Sequence, residues 1–217
     1  MTALEPDATE SAGASESGIS FERANGSGTG APNTGLSLGR SLVGAGVLLV
    51  SFAVAPGIEG ALGGALGLLM LGVLSTDARR YVVPNALSGG AFALGVLYAV
   101  AANSDSGLEA ALMALARAAF AAGLFLLVRI AYRRFRGRDG LGLGDVKLAG
   151  AAGAWLSLPM LPIAIEIAAV TALTAYVFRQ RKRERVLRAT GRVPFGAFFA
   201  PAIWLGWVME TMLLNLN

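Results

Sequence analysis

The sequence predicts an all-α protein: a polytopic transmembrane helix bundle of about seven spans (six to eight) behind a disordered N-terminal tail. Three observations predict it. The 217 residues are 55% hydrophobic and 15% charged, where a soluble domain carries roughly 25% charge and 45–50% apolar residues. From Leu36 onward the chain is a succession of apolar runs separated by polar punctuation. Lys and Arg gather in every second gap between those runs, which reads as a topology signal and not as a nucleic-acid face, despite a pI near 10.0.

Residues 1–36 form the predicted tail, cytoplasmic and separate from a membrane-embedded domain over 37–217. The tail is rich in Ser, Gly, Ala, Glu and Thr and holds Glu5, Asp7, Glu10, Glu16 and Glu22. Such a stretch cannot bury enough apolar surface to offset the entropy of ordering it. It also lacks the basic start and apolar core of a secretory signal.

Seven candidate spans follow: Leu38–Pro56, Leu62–Thr76, Ala86–Ala102, Ala110–Tyr132, Val146–Leu158, Leu161–Phe178 and Phe195–Leu214. A bilayer core of ~30 Å needs about 20 helical residues. The stretch from Val146 to Phe178 therefore holds two crossings only if one is short, tilted or re-entrant. The gap Asp77–Pro84 carries Arg79 and Arg80. The gap Arg133–Asp145 carries Arg133, Arg134, Arg136 and Arg138, and the gap Arg179–Arg192 carries Arg179, Arg181, Lys182, Arg183, Arg185, Arg188 and Arg192. The alternate gaps around Gly57–Glu59, Asn103–Glu109 and Pro159–Met160 carry neither Lys nor Arg. The positive-inside rule puts the three basic gaps in the cytoplasm and the C-terminus outside.

Composition narrows the chemistry. With no Cys and no His, disulfides, Cys-based zinc or redox sites, His-ligated metals and His-dependent triads are ruled out. The expectation is a site with no cofactor and no metal. Two carboxylates then stand out. Asp77 directly follows the second span in Ser-Thr-Asp-Ala-Arg-Arg, and Asp145 directly precedes the fifth in Gly-Leu-Gly-Leu-Gly-Asp-Val-Lys. On this topology both meet the membrane at its cytoplasmic edge. A carboxylate pair sharing one proton is what peptide hydrolysis requires: the ionised member takes a proton from attacking water, the protonated member polarises the carbonyl and protonates the leaving amine. Such a pair titrates as a unit. Gly142 and Gly144 let backbone and substrate approach Asp145. The small residues from Leu148 to Ala154 suit tight packing against a neighbouring helix. Taken singly, each Asp also fits a plain helix cap or loop residue.

At these residues the chain resembles type IV prepilin peptidases. Asp77-Ala-Arg-Arg-Tyr-Val-Val-Pro-Asn85 is similar to the family's Asp followed by Ile/Val-Pro-Asn, and Gly142-Leu-Gly-Asp-Val-Lys147 matches its GxGDxK motif. Ala-Gly-Ala-Trp155 resembles the Leu-Gly-Ala-Trp that follows it, and Val193-Pro-Phe-Gly-Ala-Phe198 resembles Ile-Pro-Phe-Gly-Pro-Phe near the last span. The ordered set covers Leu62 to the C-terminus. The resemblance implies a GxGD-type membrane aspartyl protease of the bacterial inner membrane, serving type IV pili or protein secretion. It would cut basic leaders from prepilins or pseudopilins at the cytoplasmic face, after a glycine. It makes Asp77 and Asp145 the catalytic acids, and Lys147 the motif lysine, which also suits snorkelling to the interface. Bifunctional relatives carry a loop with paired Cys-x-x-Cys motifs and methylate the new N-terminus. This chain has no Cys, so methyltransferase activity is not expected.

The expected partners are prepilin substrates and the lipid bilayer, with no nucleic acid; oligomeric state is not readable. Because leader and cytoplasmic gaps are both basic, recognition should rest mainly on the substrate's apolar helix. Pro84 reads as a helix-start proline with Asn85 beside it, either setting a turn or shaping the Asp77 segment. Pro194-Phe195-Gly196 reads as punctuation opening the last span. Trp155, Trp204 and Trp207 read as interfacial or packing aromatics. Arg117 and Glu166 lie at similar depth inside apolar runs, where charges are paired or line a wet cavity; an Arg117–Glu166 pair is one expectation, cavity lining the other. Competing functions are a small transporter or channel using the two Asp as cation or proton sites, and a non-catalytic assembly factor. Transport carboxylates sit near the midplane, whereas these sit at the edge.

Overall fold

The computed structural model describes residues 34–103, 105–137, 140–182 and 194–216. Seven helices occupy them: α1 (Thr34–Val54), α2 (Ile58–Arg80), α3 (Asn85–Ala102), α4 (Gly107–Arg136), α5 (Leu143–Trp155), α6 (Met160–Lys182) and α7 (Phe195–Asn215). They match the seven apolar runs, because an apolar backbone segment with no water to bond must satisfy its own N–H and C=O groups as helix. Residues 1–33 and the tail reading lie outside the described residues, as do Arg138, Arg183, Arg185, Arg188 and Arg192.

Five helices, α2, α3, α4, α6 and α7, are long and apolar enough to cross a bilayer, and α1 contributes a shorter apolar stretch, Gly39–Val54. With 13 residues, α5 is only about 20 Å long, too short for a ~30 Å core. The doubt over Val146–Phe178 thus resolves into one short helix and one full-length one. The helices also overrun the apolar runs. Asp77, expected in a loop, lies in the last turn of α2, and Arg133, Arg134 and Arg136 end α4. Basic residues there complement the negative end of the helix dipole. The chain reverses after α2 at Tyr81, whose backbone is left-handed (φ 55°), a conformation that costs a side-chain-bearing residue about 1 kcal/mol.

Glycine and alanine set the packing. Along α2 and α7 the register is antiparallel. A side chain at Gly63 would strike the ring of Trp207, and one at Gly67 would meet Trp204 2.9 Å away. Nearly three helical turns beyond Gly67, Asp77 meets Ala197. Trp207 is 1% exposed and Trp155 3%, so both are core aromatics and not interfacial ones. Helix α5 fills the middle of the bundle, against α3, α4 and α7. A Cβ on Gly153 would lie 2.8 Å from Ala118 Cα on α4, and one on Gly95 of α3 would lie 2.7 Å from Trp155 Cδ1. The Trp155 indole N–H donates to the Ala91 carbonyl at 2.7 Å and its ring stacks on Tyr98 at 4.9 Å. The small-residue face read from Leu148–Ala154 is therefore the surface that lets α5 sit between its neighbours.

Candidate active site

Alternating helix direction brings the end of α2 and the starts of α3, α5 and α7 to one end of the bundle. Asp77 and Asp145 both lie there. Asp77 is 5% exposed. Its Oδ2 accepts the Ala197 N–H at 2.7 Å, a first-turn donor of α7 that is shared with the Pro194 carbonyl at 3.2 Å. Asp145, half-buried, is the third residue of α5 and its Oδ2 accepts the Gly142 N–H at 3.2 Å. That is half of a capping box; Gly142 has no side chain to return the second bond. The cap reading of Asp145 is thus correct as far as it goes, and it leaves Oδ1 free for other contacts.

Gly196 joins the two acids. A Cβ on this residue would lie 3.0 Å from Asp77 Oδ2, 3.0 Å from Val83 Cγ2 and 3.2 Å from Asp145 Oδ1. Both carboxylate oxygens lie close to one point, so they are no more than about 6.2 Å apart. Two hydrogen bonds of about 2.8 Å reach about 5.6 Å, so a separation inside that reach lets one water bridge the pair.

Asp145 stands just ahead of its apolar run, outside the five spans. Burial pushes its carboxyl up to about 6; the nearby Asp77 charge adds to this, while the backbone N–H groups of Gly142 and Gly196 pull it back. A carboxyl that is protonated in mildly acidic solution beside a second acid is the condition for a shared proton.

The remaining predicted site residues frame this pair. Pro84 is the N-cap of α3 (φ −63°, ψ 133°), one position earlier than a first-turn proline. Its carbonyl accepts from Leu87 and Ser88 at 3.1 and 3.2 Å. Asn85 opens α3, and its Oδ1 accepts from Lys147 Nζ at 2.7 Å. This exposed bond ties the start of α3 to the start of α5, a more specific role than snorkelling. Gly144 is used for packing: a Cβ there would sit 2.9 Å from Val83 Cβ, so its lack of a side chain lets the α2–α3 connection close on α5. Gly142 keeps 3.2 Å between its absent Cβ and Asp145 Oδ2. Arg129 secures the same loop, its Nη1 donating to the Leu141 carbonyl at 3.2 Å.

The site residues that sequence reading missed are Gly196 and Ala197. Their signal was present as Pro-Phe-Gly-Ala, read there as punctuation.

Arg117 and Glu166 do not meet. Glu166 is exposed on α6. Arg117 donates from Nε to the Gly153 carbonyl at 3.3 Å and lines a cavity of about 420 Å³ with Glu59, Tyr98, Glu210 and Thr211. That cavity lies at the end of the bundle opposite the two acids. Cavity lining thus holds for Arg117 alone; Glu166, exposed on α6, is not among the residues that line that cavity, and the pair fails.

A bundle of bilayer-length apolar helices with two acids gathered at one end defines a multi-pass membrane protein with a paired-carboxylate site. This chain belongs to the Type IV leader peptidase family, whose model matches residues 64–177. It is 32% identical over 157 residues to a prepilin leader peptidase/N-methyltransferase of Dickeya chrysanthemi, covering 67% of this chain and 53% of that one. It is 32% identical to leader peptidase HopD of Escherichia coli, covering 60% and 82%. A prepilin leader peptidase/N-methyltransferase of Neisseria gonorrhoeae is 30% identical over 62% and 43%. The chain thus spans about half the length of the relatives that carry both names. No solved structure matches it significantly.

Proposed function

We propose that this chain is an aspartyl endopeptidase that removes the leader from type IV prepilins or pseudopilins at the cytoplasmic face of the inner membrane. The observation that carries the reading is the approach of Asp77 and Asp145 to the same point beside Gly196. In this mechanism the ionised carboxylate takes a proton from the bridging water as its oxygen adds to the scissile carbonyl. The protonated carboxyl hydrogen-bonds that carbonyl. As the C–N bond breaks, a proton passes to the leaving amine, and one acid and one amine are released. The family membership and the names of the relatives support the substrate class. The three basic gaps support the cytoplasmic placement.

The position of the acids in terminal helical turns favours this reading over a transporter, whose carboxylates belong at the midplane. The test is coexpression with a prepilin, a single-span protein whose basic leader ends in Gly, comparing wild type with Asp77→Ala and Asp145→Ala. Leader removal by wild type alone is expected. Cleavage by both variants would remove the dyad. The mass of the new N-terminus reports in addition whether it is methylated.

A further inference from the structure

We propose that the cavity at the end of the bundle opposite the two acids binds a phosphoethanolamine group, a zwitterion carrying a phosphate and a primary ammonium. The site stands apart from the peptidase reading above and does not depend on it. The cavity exists because α5 is short. Its 13 residues reach about 20 Å. Its last residue, Trp155, packs on Gly95 of α3, and α3 runs on to Ala102. The space left beyond α5 is lined by Trp155 and Ser157, by Tyr98, Arg117 and Glu210 from the neighbours α3, α4 and α7, and by Glu59 from the start of α2. At about 420 Å³ it has the size of a small-molecule site, roughly 300–1,000 Å³.

The charges in this cavity are held apart. Arg117 lies about 15 Å along α4 from Gly107, inside an apolar run where a lone charge is costly. Its Nε donates to the Gly153 carbonyl at 3.3 Å, which anchors the guanidinium on the end of α5. Among the described residues no carboxylate pairs with it, so its two terminal amino groups keep their donors. Glu210 is anchored as well: both of its carboxylate oxygens accept from the Ser157 N–H, at 3.2 and 3.1 Å. A cation and two carboxylates that share one cavity without pairing are complementary to a ligand of both signs. The planar guanidinium suits a phosphate held by two parallel hydrogen bonds. The carboxylates of Glu59 and Glu210 suit a primary ammonium, which has three donors to give. The wall is preformed: Trp155 stacks on Tyr98 at 4.9 Å, and Trp207 stands edge-on to both. The buried Trp207 indole N–H, beside Tyr98, meets no acceptor in hydrogen-bond geometry, a donor left open in the wall of the site. Two sources supply the group: the head group of an aminophospholipid, which a bilayer presents to the ends of its helices, and a soluble phosphate ester.

The experiment uses the full chain, delipidated in detergent. The probes are phosphoethanolamine, phosphocholine, inorganic phosphate and a short-chain phosphatidylethanolamine. Native mass spectrometry and tryptophan fluorescence read the binding. Phosphoethanolamine or its lipid is expected to bind wild type, with phosphocholine and inorganic phosphate weaker by about tenfold or more. Arg117→Gln is expected to weaken that binding by about tenfold or more. Glu59→Gln/Glu210→Gln is expected to bring phosphoethanolamine and phosphocholine within about twofold of each other, a loss of selectivity that a purely structural role would not produce. Should Arg117→Gln fail to fold, Arg117→Lys, which keeps the charge and loses the planar fork, is read in its place. Retention of the lipid through detergent exchange with weak binding of the soluble ester supports the site and gives it to the bilayer; the reverse supports it and gives it to a soluble ester. Equal affinity of wild type for the ethanolamine and choline forms, unchanged binding in the Arg117 variant, or no binding of any probe would each overturn the site.

Discussion

The backbone N–H of Ala197 donates to Asp77 Oδ2 at 2.7 Å, across 120 residues of sequence. This bond fixes an acid in the last turn of α2 to the first turn of α7. In the family pattern that this segment resembles, proline stands where this chain has Ala197, and proline has no N–H to give.

Ala197→Pro therefore restores the family residue and deletes the donor. An ionised carboxylate that loses a donor becomes harder to ionise. The acid limb of the pH–rate profile should move to higher pH, with kcat at its optimum reduced by less than about tenfold. A profile that does not move would mean the bond leaves the dyad's protonation untouched.

Asp145→Asn should abolish leader removal and stabilise the fold at neutral pH. Burial pushes Asp145 up to about 6 from the 3.8 of an ordinary aspartate, so the folded state binds its proton more tightly than the unfolded chain. Its contribution to stability is full below about pH 4 and is lost as pH rises through about 6. Asn is neutral throughout. The gain in thermal midpoint of Asn over Asp should be near zero at pH 4 and largest at pH 7–8, which scanning at three pH values will measure.

Gly153→Val forces a side chain onto the α4 backbone, where even a Cβ would lie 2.8 Å from Ala118 Cα. Overpacking of this kind costs about 1–3 kcal/mol. The thermal midpoint should drop and cleavage should fall with it. Gly123→Ala, whose Cβ would meet nothing within 4 Å, should be silent.

Lys147→Met removes the bond to Asn85 Oδ1, which is exposed. Solvent competes for both partners, so the loss in stability should stay below about 1 kcal/mol. Leader cleavage should drop by only a few fold, because the lysine aligns two helix starts and does not touch the acids.

Arg117→Glu combined with Glu166→Arg should not rescue the single variants, since Glu166 is not among the residues that line the Arg117 cavity. Arg117→Ala should destabilise the protein while leaving the pH–rate profile in place. Its cavity is at the far end of the bundle. Thermal midpoints and pH–rate profiles of the four variants check this.

Much of this was legible in the linear chain, and the reason is locality. Apolar runs become helices because each residue's backbone bonds close within four positions, so Leu62–Thr76 and Phe195–Leu214 needed no partner to be recognised. Placing Asp77 and Asp145 at the same membrane edge followed from counting spans and Lys/Arg residues. The same local signals misjudged where helices stop, because charged last turns such as Arg133–Arg136 remain helical after the hydropathy has ended.

What only the tertiary structure decided is which surfaces meet. A glycine in sequence offers an absence, and an absence does not name the group that will use it. Gly144 proved to be filled by Val83, Gly153 by the α4 backbone and Gly63 by Trp207, while Gly196 faces two carboxylates. These assignments depend on the rotation and depth of each helix against its neighbours, set by close packing over the whole bundle. The sequence by itself determined the helices and their acids; the long-range packing determined that the first turn of α7 would touch both of those acids.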